Sequence, residues 1–261
     1  MIKLNKKYFF FDIDGTLTIK ETGEVIPSVI ETIRKLKEKG HFVCIATGRA
    51  FYKTKDFAKK IGIDYIVSNG GCAISKNGQL IENKPLNHDK AVRLCNQARE
   101  LGFGVLVAVD DNIDVLMIDE VFVKSVGYRQ EPTRYYYDSS LDYNDIKDIY
   151  KIYVAVSKED EHLLTAKEGM GYIRFADPYL TFQHDEKDKG IERMIEYIGG
   201  KIEDVVVFGD DYNDLVMFQD KWTSIAMGNA CIELKEKASF VTKTNKDNGI
   251  EYACRYHGWI D

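Results

Sequence analysis

Cysteine, proline and long apolar runs are scarce in this chain of 261 residues, and each scarcity excludes a class of protein. Only 4 prolines and 20 glycines, with no repeat, exclude collagen-like and low-complexity chains. The cysteines form no CxxC pair, which excludes zinc ribbons and thioredoxin-like redox sites and favours idle thiols in a reducing compartment. No run of about 18 apolar residues is present, and the run after the basic start is too short for a signal peptide. We therefore expect a cytoplasmic protein with no membrane partner.

Charge is the second constraint, because acidic residues outnumber basic ones by 42 to 36 and the formal net charge is −6. A nucleic-acid-binding protein usually carries the opposite imbalance or a long basic stripe, so no nucleic-acid partner is expected. The chain also lacks a GxGxxG after its first apolar run, which excludes a dinucleotide-dependent oxidoreductase. A small anionic substrate stays compatible with this composition, and 44% hydrophobic residues suit a globular core.

Both ends of the chain predict the same kind of layered structure. Short apolar runs without alternation are typical of strands buried on both faces of a parallel sheet. Such runs lie at residues 8–11, 42–46, 65–67 and 205–208. Helical patterns lie between them, at residues 27–40, 51–61 and 191–198. This alternation predicts an α/β fold with a doubly wound, Rossmann-like parallel sheet.

From about Asn83 the pattern changes to mixed and alternating strands, and tyrosines become dense, as at residues 135–137. Helices are predicted from Asp89 to Leu101 and from Lys158 to Lys167. The predicted strands lie at residues 105–109, 114–118, 152–156, 172–175 and 180–183. This mixture is typical of a separate α+β domain of about 100 residues. We therefore predict a core formed by residues 1–82 and 185–261, with residues 83–184 inserted as a second domain.

Two acidic motifs directly follow apolar runs, where ligands bind in open α/β sheets. Asp12-Ile13-Asp14-Gly15-Thr16 follows the first run. A lone aspartate there would indicate only a turn cap, but two carboxylates beside a glycine indicate a site. Gly209-Asp210-Asp211-Tyr212-Asn213-Asp214 follows the run at 205–208. Its three carboxylates would repel one another without a cation, and such hard oxygen ligands are those that Mg²⁺ prefers.

Two further motifs carry groups suited to phosphate. Thr47-Gly48-Arg49 follows the second run and precedes a helix, so its hydroxyl and N–H groups suit a phosphate, although threonine in this place is commonly only an N-cap. Lys189-Gly190 precedes the helix at 191–198, where a lysine opposes the helix dipole unless an anion holds it. Lys187 lies two positions away and is the rival for this role.

These four motifs, in this order and at these strand ends, resemble those of the haloacid dehalogenase superfamily. Four further segments resemble its Cof-type phosphatase branch: Ser68-Asn69-Gly70-Gly71, Ala226-Met227-Gly228-Asn229-Ala230, Ala238-Ser239-Phe240-Val241-Thr242 and Asn248-Gly249-Ile250. Only about 30 residues separate Gly15 from Thr47, but about 140 separate Arg49 from Lys189, which matches the placement of a C2-type cap. The mixed strand and helix content of the inserted domain resembles the C2B subtype. The resemblance implies a phosphoric monoester hydrolase for a small phosphorylated metabolite, such as a sugar or cofactor phosphate. We expect a monomer or a weak homodimer.

The resemblance also implies a role for each matching residue. Asp12 would be the nucleophile that forms an aspartyl-phosphate, and Asp14 would serve as acid and then base. The implied cofactor is Mg²⁺, with a ligand set of Asp12, the Asp14 carbonyl and Asp210, and with Asp214 and Asp211 acting on its water ligands. The implied phosphate-binding residues are Thr47, Gly48, Lys189 and Asn213. The lead-in His184 to Asp188 is more polar than is usual in the family, and Gly190 favours Lys189 over Lys187.

Two other functions stay open at this stage. A phosphotransferase or phosphomutase shares this core and type of inserted domain, with a second substrate in place of water. A non-catalytic phosphate sensor would lack a member of the machinery, whereas all its principal residues are present: Asp12, Asp14, Lys189 and Asp210. Tyr135 to Tyr137 either stack on a planar substrate or pack the small sheet, and the role of Arg49 is also open.

Overall fold

A computed structural model describes residues 6–261, so the first five residues of the predicted 1–82 segment lie outside the described residues. The chain divides into two compact units. The first unit runs up to Asn83 and resumes as Glu186–Asp261, and the second unit is Lys84–Asp185. The sequence predicts these borders at 82/83 and 184/185. Among residues 6–261, no helix is both long enough and apolar enough to span a membrane.

Among the described residues, five strands and two α-helices belong to the first unit before the chain enters the second. They are β1 (Tyr8–Phe11), α1 (Pro27–Glu38), β2 (Phe42–Ala46), α2 (Phe51–Ile61), β3 (Tyr65–Ser68), β4 (Ala73–Lys76) and β5 (Gln79–Asn83). The second unit contains α3 (His88–Glu100), β6 (Gly104–Ala108), β7 (Asp114–Met117), α4 (Val121–Val126), β8 (Arg134–Tyr137), β9 (Lys151–Ala155), β10 (Tyr172–Ala176) and β11 (Tyr179–Phe182). The return to the first unit supplies α5 (Lys187–Tyr197), β12 (Val205–Gly209), β13 (Thr223–Ala226), α6 (Ile232–Lys237), β14 (Phe240–Val241) and α7 (Gly249–Tyr256).

The sheet of the first unit has the strand order β14-β13-β12-β1-β2-β3-β4-β5. Its first six strands are parallel, and β4 and β5 pair antiparallel at one edge. The central strand β1 lies between β2 and β12, so that Phe11 is in register with Ile45 on one side and Phe208 on the other. The predicted doubly wound parallel sheet is confirmed, whereas β4 and β5 are additions to it.

The residues of β1 alternate between the two faces of this sheet, and both faces are buried. Phe9 and Phe11 pack with α1, α2 and α7, whereas Tyr8 and Phe10 pack on the other face with α5 and α6. A strand that is buried on both faces needs apolar residues at every position, which explains the uninterrupted run Tyr8–Phe11. The burial of both faces holds the strand ends rigidly, and the polar residues that follow them are therefore fixed in place.

The second unit is built on a six-stranded sheet with the order β10-β11-β9-β6-β7-β8. Its described pairs are antiparallel except for β7 with β8. Helix α3 covers one face of the sheet and the short helix α4 packs on the other. Tyr135 packs against the cluster under α4, but Tyr136 and Tyr137 are exposed. The three neighbouring tyrosines therefore do not share one role.

The helix predicted from Lys158 to Lys167 is wrong. The segment instead forms two single 3-10 turns, Glu161–Leu163 and Thr165–Lys167. Between them Leu164 has φ −83° and ψ 71°, outside the helical region, and its side chain is completely buried in the cluster beneath α3. Burial of this leucine therefore prevails over the local tendency of the segment to form a helix.

Candidate active site

The site lies at the carboxyl edge of the first unit's sheet, where three neighbouring strands end. Asp12 follows β1, Thr47 follows β2 and Asp210 follows β12. Because β1 pairs in parallel with both other strands, these ends meet at one edge. The Asp12 amide donates to the Phe208 carbonyl at 3.0 Å, which extends the ladder up to the acidic residue. The topology thus brings together three of the four polar motifs.

Lys187 supplies the positive charge of the site. Its Nζ lies 2.8 Å from Asp12 Oδ1 and 2.6 Å from Asp214 Oδ1, and only 1% of its side chain is exposed. Burial acts to lower the pKa of Lys187, but the carboxylates of Asp12 and Asp214 raise it overall, so the ammonium stays charged. Burial, followed by the charge of Asp214, raises the pKa of Asp12 well above its usual value despite the attraction of Lys187.

The structure corrects the assignment of Lys189 to this place. Lys189 Nζ is 2.7 Å from Glu186 Oε1, and 57% of the Lys189 side chain is exposed. Helix α5 begins at Lys187, so the two lysines lie within the helix. Residues two positions apart on a helix are turned by about 200° from each other and cannot share a face. The glycine that follows Lys189 was therefore a misleading signal, and helical phase is the signal that separates the two lysines.

The acidic residues form a compact cluster that suits a hard cation. One carboxylate oxygen from each of Asp12, Asp210 and Asp214 lies within 4.8 Å of the others, and all three residues are buried. Burial, and then the charge of Asp214, raise the pKa of Asp210 to about 7. The cluster has more negative charge than Lys187 alone balances, and a divalent ion would relieve the excess. Oxygen donors of this kind fit Mg²⁺.

Asp214 is also a structural support for the loop after β12. Its Oδ2 accepts hydrogen bonds from the amides of Asp210 and Asp211, at 2.9 and 3.2 Å. Asp211 forms a capping box with Asp214, and its carboxylate pairs with Lys20. Burial opposes the shift, but the bond from Lys20 lowers the pKa of Asp211. Asp214 is therefore the residue of this pair that is turned toward the cluster.

Asp14 lies in the loop between β1 and α1 and is bound by Arg49. The guanidinium makes a two-pronged contact, with Nε 2.8 Å from Oδ2 and Nη2 bonded to Oδ1. The Asp14 side chain is 44% exposed, unlike that of Asp12. The sequence left the role of Arg49 open, and the structure places it as the partner of Asp14. Such a fork holds a carboxylate in one orientation.

The predicted phosphate-binding residues occupy three different settings. Thr47 is buried, its amide donates to the Val67 carbonyl at 2.9 Å, and its hydroxyl accepts from the Arg49 amide at 3.1 Å. Gly48 follows it before α2 begins. Asn213 is half-buried in the 3-10 helix Tyr212–Met217, which also contains Asp214. Thr47 and Asn213 thus follow β2 and β12, the two neighbours of β1.

The backbone conformation and the surroundings of Gly15 explain why the first motif needs a glycine. Its φ is +89°, a left-handed conformation that other residues rarely adopt. A Cβ at this position would lie 2.1 Å from Asp210 Oδ2. The backbone of the first motif therefore passes directly against a carboxylate of the fourth, and Thr16 strengthens this contact by donating to Asp210 Oδ1 at 3.0 Å.

Comparison with known proteins now identifies the family. Residues 9–253 match the family described as haloacid dehalogenase-like hydrolase. The putative phosphatase YkrA of Bacillus subtilis is 33% identical over 98% of this chain and 100% of its own length. A putative bifunctional phosphatase/peptidyl-prolyl cis-trans isomerase of Streptococcus pyogenes is 32% identical over 98% of this chain, which spans only 54% of that longer protein. The solved structure of BT4131, a sugar phosphatase of haloacid dehalogenase subclass IIB, is 25% identical, with a TM-score of 0.76, and covers 98% of this chain and 100% of its own.

The chain belongs to the haloacid dehalogenase-like hydrolase family. The predicted resemblance to this superfamily is confirmed, and with it the prediction of a hydrolase of the phosphatase type. The family match spans both units of the chain, so the inserted unit is part of the family's pattern.

Proposed function

We propose that this protein is a Mg²⁺-dependent phosphatase that hydrolyses a small phosphorylated metabolite through an aspartyl-phosphate. The observation that carries the proposal is the buried pairing of Asp12 with Lys187 beside Asp210 and Asp214, at the carboxyl edge of the sheet. A carboxylate held there by an ammonium group has both a nucleophilic oxygen and a positive charge for a phosphoryl oxygen. The named phosphatases among its relatives support the same reaction class.

In the proposed reaction Asp12 attacks phosphorus as the bond to the ester oxygen breaks. Asp14 donates a proton to the departing alcohol, so the leaving group departs neutral. The aspartyl-phosphate is then attacked by water, whose proton returns to Asp14, and inorganic phosphate leaves as Asp12 is regenerated. Arg49 bonds once to each Asp14 oxygen, which leaves each oxygen a second lone pair that can carry the transferred proton.

The remaining residues balance the charge of the phosphoryl group. We propose that Lys187, in place of Lys189, binds its oxygens together with Thr47, Gly48 and Asn213. Asp12, the Asp14 carbonyl, Asp210 and Asp214 would hold Mg²⁺, either directly or through its water ligands. The ion would supply positive charge next to the reacting phosphate, and neutralisation of this kind is most of what phosphoryl transfer requires.

We also propose that the two units have different roles. All the residues assigned above belong to the first unit, which would be the catalytic core. The second unit would be a C2B-type cap that selects the leaving group. Its strands carry Tyr136 and Tyr137 with exposed side chains, which are candidates for contact with the organic part of a substrate.

The test is release of inorganic phosphate from a generic aryl phosphate, with Mg²⁺ and with EDTA, by the wild type and Asp12→Asn. We expect Mg²⁺-dependent release in the wild type and none in the variant, whose fold is checked by circular dichroism. Release by Asp12→Asn at a rate near that of the wild type would contradict the nucleophile assignment. If neither protein releases phosphate while the wild type isomerises a sugar phosphate, the protein is a transferase instead.

A further inference from the structure

Two asparagines from the C-terminal segment hold the loop that carries Asp14, and the proposed reaction does not use them. Asn229 follows β13, and its Nδ2 donates to the Gly15 carbonyl at 2.9 Å. Asn245 follows β14, and its Nδ2 donates to the Thr18 carbonyl at 2.9 Å. Both contacts join segments more than 200 residues apart in the chain. They are therefore features of the tertiary structure and not of a local turn.

The two side chains are also coupled to each other. The Asn245 amide donates to Asn229 Oδ1 at 2.9 Å, and Asn245 Oδ1 accepts from the Lys246 amide at 2.8 Å. Each side-chain amide thus has its oxygen and its nitrogen engaged, which fixes the orientation of both. Asn245 is buried, so its contacts are shielded from competition with water. The two side chains therefore support the loop as a hydrogen-bonded pair.

The contact of Asn245 with Thr18 affects the orientation of Asp14 through a single peptide unit. The Thr18 carbonyl accepts from the Gly15 amide at 3.1 Å as well as from Asn245. The Gly15 N–H and the Asp14 C=O belong to the same planar trans peptide and point in opposite directions. Fixing the N–H on Thr18 therefore also fixes the direction of the Asp14 carbonyl. Asn229 holds the next carbonyl along the chain, that of Gly15.

We propose that Asn229 and Asn245 are positioning residues that orient the Asp14 main-chain carbonyl as a ligand of the cation. This inference rests on the proposed Mg²⁺ site. Mg²⁺ requires nearly ideal octahedral geometry, so a carbonyl ligand that is free to rotate is a poorer one. Neither asparagine touches the ion or the substrate in this role; each acts through the backbone of residues 14–18.

The test measures Mg²⁺ binding directly, by calorimetry on the full chain, for the wild type, Asn229→Ala and Asn245→Ala. Loss of a partner that orients a metal ligand typically weakens binding by 10–100-fold, so we expect at least a tenfold increase in Kd for each variant. Ser28→Ala is the matched control, because Ser28 donates to Asn248 Oδ1 at 2.7 Å and joins the same C-terminal segment to α1 without touching the Asp14 loop. Its Kd should equal that of the wild type.

A second measurement separates positioning from simple stabilisation of the fold. The unfolding temperature of each protein is measured in EDTA and in Mg²⁺, because a bound ligand raises it by an amount that depends on Kd. We expect the increase caused by Mg²⁺ to shrink in both asparagine variants. If both variants melt lower but keep the full increase, the asparagines only stabilise the fold, and the inference is overturned.

The outcomes also distinguish this inference from the function on which it rests. If the wild type binds Mg²⁺ and both variants bind it equally well, the positioning role fails and the proposed site stands. If the wild type shows neither calorimetric binding nor an increase in unfolding temperature, the metal site fails, and the inference fails with it. Because the asparagines hold different carbonyls, a folding defect in one variant leaves the other as the test.

Discussion

Lys187 is held between two carboxylates, and only 1% of its side chain is exposed. Removing it by Lys187→Met leaves Asp12 and Asp214 facing each other, and loss of one partner from a buried ion pair costs about 3–5 kcal/mol of stability. We also expect kcat/KM to fall by about 10²–10³-fold, the usual effect of losing one group that stabilises developing charge. Urea unfolding and phosphate release measure the two effects.

Lys189→Met is the matched control for this prediction, because it removes the same side chain two positions away. Lys189 lies on the exposed face of α5 and pairs only with Glu186 among the described residues. Its activity and unfolding midpoint should stay near those of the wild type. If Lys189→Met lost activity as severely as Lys187→Met, the correction made from the structure would itself be wrong.

Asp210 makes the stability of the metal-free protein depend on pH. Its pKa rises from the usual 3.8 to about 7, chiefly because it is buried, so the folded state binds the proton more tightly than the unfolded state. The stabilisation from this group is complete at low pH and is lost as the pH rises through about 7. In EDTA, the unfolding temperature of the wild type should therefore fall across this range relative to that of Asp210→Asn.

Addition of Mg²⁺ should reverse this trend, because at the proposed site the ion would bind the deprotonated carboxylates. The increase in unfolding temperature caused by Mg²⁺ should grow as the pH rises toward and beyond 7. Parallel pH profiles for the wild type and Asp210→Asn, with and without the ion, would contradict this explanation.

The residues of the site show how far a sequence predicts side-chain geometry. Asp12 and Asp210 follow apolar strands directly, and the strand ends determine where they lie. Lys187 was only the rival of Lys189, because the choice depends on where α5 begins, and its first turn is polar. The contact of Arg49 with Asp14 joins two loops, and no motif encodes it.

At the scale of elements, the conformation of the loop between β1 and α1 depends on one close contact, that of Gly15 with Asp210. Gly15→Ala would place a methyl group 2.1 Å from Asp210 Oδ2 at a φ of +89°, so either the loop or the carboxylate must move. We expect loss of Mg²⁺ affinity and of most phosphate release. Gly23→Ala is the control in the same loop, since its φ is +70° but no atom of the described residues lies within 4 Å of its added Cβ.

Gly23→Ala should lose about 1 kcal/mol of stability from the backbone alone and keep its activity. Equal effects of the two substitutions on Mg²⁺ binding would show that backbone strain matters here and contact with Asp210 does not. Calorimetric titration with Mg²⁺ and urea unfolding of both variants distinguish the two explanations.

The elements that the sequence predicts well are those in which local pattern and burial agree. Strands β1, β2 and β12 and helix α2 are of this kind. The hairpin of β4 and β5 was missed although Asn77 and Gly78 both have positive φ and form its two-residue turn. The residues of β5 are exposed or half-buried at the sheet edge, so its sequence does not show the apolar run that predicts a buried strand. The helix predicted at 158–167 fails for the opposite reason, because one buried leucine decides the local conformation.

At the scale of the whole molecule, each unit has its own hydrophobic core. The buried clusters of the second unit contain only residues between Leu86 and Phe182, and those of the first unit contain none of them. A unit of about 100 residues is large enough to fold alone. Residues 84–185, produced by themselves, should therefore show a cooperative thermal transition by circular dichroism and no phosphatase activity. A transition without cooperativity would contradict this.

Asp12 and Lys187 lie 175 residues apart in the chain, with the whole second unit between them. During synthesis Asp12, the proposed nucleophile, leaves the ribosome long before Lys187 and the strand β12 that complete its surroundings. Contacts of such long range form slowly, because the intervening chain must first be ordered. A chain truncated before Lys187 therefore carries Asp12 and Asp14 without the ammonium group that the proposed reaction uses.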